Sequence, residues 1–79
     1  MKAHLMSREE DPYHGITEIW QAEDGKAFYV DFNAYICQTM VFPYDLKLDL
    51  VKNWLELWHR NMTGGRAMRE LGYDPVEEE

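Results

Sequence analysis

Three histidines and a single cysteine are the residues best suited to nucleophilic, acid–base or metal chemistry, and their spacing supports none of it. His4, His14 and His59 stand far apart, and none has a second histidine or cysteine at the short spacing that two ligands on one element require. No metal site is expected. Cys37 stands alone in YICQT, with no neighbouring base to take its proton, and a buried strand cysteine behaves as a small hydrophobe. No catalytic residue and no cofactor is expected, and a domain this small rarely encloses a ligand cavity as well as a core.

The other candidates concern charge. Thr63-Gly64-Gly65-Arg66 holds the glycine pair of the chain just before a helical run, with Arg69 nearby. Free backbone N–H groups at Gly64 and Gly65, with Arg66 and Arg69, could receive a phosphate or carboxylate. The plainer alternative is a turn between two helices, and the spacing is not that of a Walker loop. The acidic runs Glu9-Glu10-Asp11 and Glu77-Glu78-Glu79 read as solvated tails. Glu18, Glu23, Asp24 and Asp31 fall on strand-like segments and are better placed to meet a basic partner. Tyr29, Tyr35 and Tyr44 lack the interleaved basic residues of a nucleic-acid stacking platform and read as cross-strand neighbours.

Seventy-nine residues make one domain with a small core, burying only about 60% of its unfolded surface. The net charge of −7 is unevenly placed. Up to Leu46 eight acids face only Lys2, Arg8 and Lys26, whereas five bases outnumber three acids between Lys47 and Tyr73. Such a chain repels a phosphate backbone, so direct nucleic-acid binding is disfavoured, yet it approaches a basic protein surface readily. One cysteine excludes an internal disulfide and fits a reducing compartment, and MKAHLMSREED lacks the apolar run of a signal peptide. A cytoplasmic location, without membrane contact, is expected.

Residues 1–12 read as a flexible tether, with a short helix or an added edge strand as the alternative, 13–76 as one compact domain and 77–79 as an acidic tail. ITEIWQA and AFYVDFN flank Glu23-Asp24-Gly25-Lys26, a strong hairpin signal because glycine takes the positive φ of the turn without strain. Phe28, Val30 and Phe32 alternate with Tyr29, Asp31 and Asn33, as in a strand with one face on a core. YICQTMVF reads as a third strand, apolar on both faces and stopped by Pro43.

The segment from Tyr44 to Met62 reads as a long helix with Asp45 as N-cap. On a helical wheel its apolar arc is about 200° wide, against about 100° for one packed face. Trp54 and Leu50 are expected to lock onto Phe28, Val30 and Phe32. Leu55, Trp58 and Met62 form the surplus flank, either covered by residues 66–76 or open to a partner. RAMREL reads as a short second helix stopped by Gly72. The expected fold class is α+β: a three-stranded antiparallel β-meander packed against one long C-terminal amphipathic helix, followed by a short second helix, in the order β-β-β-α-α.

The function this supports is a small acidic protein-binding module, not an enzyme, that docks on and inhibits or modulates a larger protein with a basic surface, nucleic-acid-handling proteins among the candidates. In size, charge and β-then-α layout it resembles the compact acidic inhibitors that bacteriophages and mobile elements encode against host enzymes, anti-CRISPR proteins among them. That resemblance implies action in a host cytoplasm and carries over no individual residue. The expected contacts are Glu18, Glu23, Asp24, Asp31, Leu55, Trp58 and Met62. The alternative is a small structural or regulatory homodimer, antitoxin-like in role, joined through the helix arc.

Overall fold

A computed structural model describes residues 1–77. The chain runs β1 (Lys2–Asp11), β2 (Gly15–Ala22), β3 (Ala27–Asn33), β4 (Gln38–Asp45), β5 (Leu50–Val51), β6 (Leu57–Arg60), α1 (Gly64–Glu70) and β7 (Asp74–Val76). The seven strands form one mixed sheet in the order β5-β4-β3-β2-β1-β7, with β6 also pairing β4. All described pairings are antiparallel except β1 with β7.

The hairpin at Asp24-Gly25 forms as its sequence dictates. Gly25 has φ +96, and Asp24 Oδ1 accepts the Lys26 backbone N–H at 3.0 Å. Phe28 and Val30 are buried, in register with Trp20 and Glu18 of β2 and with Pro43 and Val41 of β4. One seven-residue helix covers this face. Thr63 caps it, its Oγ1 accepting the Arg66 N–H at 3.2 Å, and Ala67 and Met68 complete a core with Ala3, Trp20, Ala22, Phe28, Val30, Val41 and Met62. After the helix, Tyr73 packs on Phe28 and its hydroxyl donates to Asp24 Oδ2 at 2.7 Å. Burial, and then this bond, push the Tyr73 phenol up to about 12.

The long helix expected over 44–62 is absent, so the α+β, β-β-β-α-α arrangement is corrected to a mostly β fold with a single short helix among the described residues. The physical reason is visible in the backbone: residues 46–49 form a turn, Leu50–Val51 and Leu57–Arg60 pair with β4, and the segment bonds to β4 and to the turn before it instead of to itself. Lys52 N–H donates to Pro43 O, Glu56 N–H to Val41 O and Asn61 N–H to Cys37 O. Asp49 and Asn61 take φ of 55, which interrupts any helix there. Asp45 does accept N–H groups, from Lys47 at 2.9 Å and Leu48 at 3.1 Å, but as an Asx turn rather than a helix cap. Trp54 and Leu50, expected in the core, are 56% and 54% exposed.

Two further expectations change. Lys2–Asp11, read as a tether, is the longest strand. β4 begins after Cys37, which sits in a turn with φ 52, and it continues through Pro43 to Asp45. RAMREL lies in and just after α1, as its sequence indicates. Of the acidic tail, Glu78 and Glu79 lie outside the described residues.

One hydroxyl joins the sheet to the approach of the helix. Thr39 Oγ1 donates to Met62 O at 2.6 Å and accepts the Met62 N–H at 3.2 Å, and both residues are buried. Thr39→Val keeps the shape but strands both backbone groups. A loss of about 2–3 kcal/mol is expected, measured by urea denaturation.

Candidate functional site

Register sorts the sheet into two faces, and the sorting depends on a bulge in β1. Before it, Ala3 and Leu5 face the helix, paired with Ala22 and Trp20. Between Leu5 and Ser7 the register shifts, so that Arg8 and Glu10 take over that face while Ser7 and Glu9 turn to the other. Arg8 thereby comes to lie beside Glu18.

Glu18 is 5% exposed, on a central strand, and its carboxylate is paired on both oxygens. Oε1 accepts the Trp20 indole N–H at 2.8 Å, and Oε2 accepts the Arg8 Nε–H at 2.7 Å with the charged Nη2 also 2.7 Å away. These donors offset the cost of burying the carboxylate. The hydrogen bond and charge of Glu18 in turn hold the Arg8 guanidinium above its ordinary pKa. Gly64 lies directly over the pair. A methyl group at Gly64 would collide with Glu18 Oε1 and Trp20 Nε1, so the first turn of α1 can settle there only as glycine. Beyond it opens a cavity of about 250 Å³, walled by Ile16, Val30, Phe32 and Met62 and ending at Arg8 and Glu18. It is smaller than the roughly 300–1,000 Å³ of ordinary ligand sites and holds no nucleophile–base pair.

The opposite face has no layer over it among the described residues. Ile19, Tyr29 and Phe42 form one cross-strand row, and Thr17, Asp31, Met40 and Trp58 form the next. Tyr29 and Tyr44 stack with centroids 6.3 Å apart. Ile19, Tyr29, Met40, Phe42 and Tyr44 are half-buried, and Trp58 is 46% exposed at the margin. Carboxylates border these rings. Glu9 is paired with Thr17, and Asp31 with His14 Nε2 at 3.2 Å. Burial, and next the charge of Asp31, raise the Tyr29 phenol above its ordinary pKa. Leu46, Leu48, Leu50, Val51, Trp54 and Leu55 stand exposed along the adjoining edge.

The residues singled out from sequence therefore separate. Asp31 and Trp58 meet on this open face. Glu18 is enclosed beneath the helix, and Met62, 3% exposed, is core. Glu23 accepts the Lys2 N–H and lies 3.6 Å from His4, and Asp24 is held in its turn, so both sit at the far end of the hairpin. Leu55 is exposed in the loop before β6. Gly64 and Gly65 are buried in the first turn of α1, facing Glu18 and Glu77 respectively, while Arg66 and Arg69 are exposed. Two carboxylates thus occupy the neighbourhood suggested for an anion. Sequence patterning leaves Phe42, Met40 and Ile19 out of the expected contacts, although the two-sided apolar pattern of YICQTMVF signals the first two. Among the described residues no group of three or more His, Cys, Asp or Glu side chains is placed to hold a metal ion, and no helix is long and apolar enough to cross a membrane.

Removal of Arg8 tests the buried pair. Breaking a fully buried ion pair costs about 3–5 kcal/mol, and the partial exposure of Arg8 reduces this. Arg8→Ala is expected to destabilise by about 2–3 kcal/mol in urea denaturation, and by less than half of that in a Glu18→Leu background, where no charge is left uncompensated.

Comparison with family models, with curated proteins and with solved structures finds no match to this chain.

Proposed function

We propose that this protein is a non-enzymatic binding module that docks on a larger protein and blocks or modulates it, working in a reducing, cytoplasmic setting. The supporting observation is the open sheet face, where aliphatic and aromatic side chains from β2, β3, β4 and β6 lie side by side with no layer above them among the described residues. A sheet normally buries both its apolar faces or turns one polar. Here the second face keeps Ile19, Tyr29, Met40, Phe42 and Trp58, a composition typical of the centre of a protein–protein interface.

Charge supports a basic partner. Glu9, Asp31 and the overall charge of −7 speed encounter with a positive surface and oppose pairing with a second copy of the same face. A size and charge suited to an inhibitor remain. The β-then-α layout that also suggested one does not, and Glu18 and Met62 leave the set of contacts because they are enclosed.

The test compares capture of a basic protein from cell extract by the native chain and by a Phe42→Ser/Trp58→Ser variant whose circular dichroism is unchanged. Truncation of an interface hot spot costs about 2 kcal/mol or more, so binding should weaken by roughly 30-fold or more. Association should also slow with added salt. Equal capture by the folded variant, or a stable homodimer at micromolar concentration in light scattering, would overturn the proposal.

A further inference from the structure

We propose that the outer edge of β1, from Ser7 to Asp11, takes up an extended basic segment of the partner as an added strand. This deepens the protein-binding function proposed above and depends on it. β1 pairs with β2 along its whole length, but on its other side β7 reaches only Lys2, Ala3 and His4. From Ser7 onward no strand among the described residues lies against that side. Every residue from Ser7 to Asp11 is exposed, although all five belong to a strand. Every second residue of such an edge turns its backbone N–H and C=O away from the sheet, where an incoming strand can bond to them.

The same edge already accepts a parallel strand at its other end, in β7. Its open part spans five residues, about 17 Å at roughly 3.4 Å per residue, long enough for a short recognition segment. Its side chains specify the occupant. Glu9 and Asp11 point to the open face, and Glu10 points to the helix face beside Arg8, whose charge is already shared with Glu18 and Glu77. A second copy pairing antiparallel sets Glu9 opposite Glu9 when centred there, or Glu10 opposite Glu10 and Glu9 opposite Asp11 when centred one residue on, which cross-strand pairing disfavours. The Arg8 that would face Glu10 in the first register is already shared with Glu18 and Glu77. An extended segment carrying lysine or arginine meets complementary charge on both faces. The acids that block self-association at the edge therefore select a basic strand.

The experiment uses the full chain, labelled for amide hydrogen exchange, and three synthetic peptides. One alternates Lys and Val, one alternates Glu and Val, and one is the Lys/Val peptide with alternate backbone nitrogens methylated. The Lys/Val peptide should bind and slow exchange within Ser7–Asp11 by at least about tenfold. The methylated peptide should bind at least about tenfold more weakly, and the Glu/Val peptide should bind only to a Glu9→Lys/Glu10→Lys variant. Phe42→Ser should leave peptide binding unchanged. Equal binding of the methylated peptide, exchange protection outside Ser7–Asp11 only, or no binding of the Lys/Val peptide would overturn strand addition. Those results would leave the open-face function standing, since that is decided by the Phe42 and Trp58 substitutions against the protein partner.

Discussion

The two layers of this protein meet where Gly64 rests on the Glu18 carboxylate, and the seating of the helix over β1 and β2 follows from that contact. A carboxylate on a central strand is tolerable only with donors on both oxygens. Trp20 supplies one from two residues along the same strand, and Arg8 supplies the other. Arg8 reaches Glu18 because the β1 bulge moves it to the helix face. The absence of a side chain at position 64 then lets the helix descend onto the pair, and the Thr63 cap and the Thr39–Met62 bonds fix its approach. Polar groups, rather than apolar volume alone, thus register the helix over the sheet.

A seven-residue helix can cover only part of one face of a sheet this wide. The chain spends its remaining apolar residues on the second face, where the rows through Ile19, Tyr29 and Phe42 and through Met40 and Trp58 stay open. Tyrosine hydroxyls and the flanking carboxylates keep that face wettable, while its ring area is available for burial. A small domain gains stability from having such a face covered by a partner, so folding economy and binding point to the same surface.

Local signals in the sequence were legible where they were unambiguous. Asp24-Gly25 marked its hairpin, Phe28 and Val30 marked the inner face of β3, and the run ending at Gly72 marked the helix. Residues 44–62 misled because their apolar spacing fits a helix, while the chain there turns at 46–49 and bonds outward to β4. SREED resembled a tether because charge on both sides of a strand is unusual in a sheet interior, but an edge tolerates it. Trp58 and Asp31 could be chosen from sequence as exposed residues, but their place on one face required the register of three strands, β3, β4 and β6. The enclosure of Glu18 depends on a bulge between Leu5 and Ser7 and on Arg8 and Gly64, which lie ten and forty-six positions away from it, so no local pattern could reveal it.

The central claim is that the sheet face opposite the helix is where the partner sits. Chemical-shift mapping on the labelled full chain, titrated with the captured partner, tests it most directly. The expected perturbations fall on Ile19, Tyr29, Met40, Phe42 and the Trp58 indole, with Ala67 and Met68 unchanged. Perturbations confined to α1 and the cavity beside Gly64, with the open face silent, would contradict it.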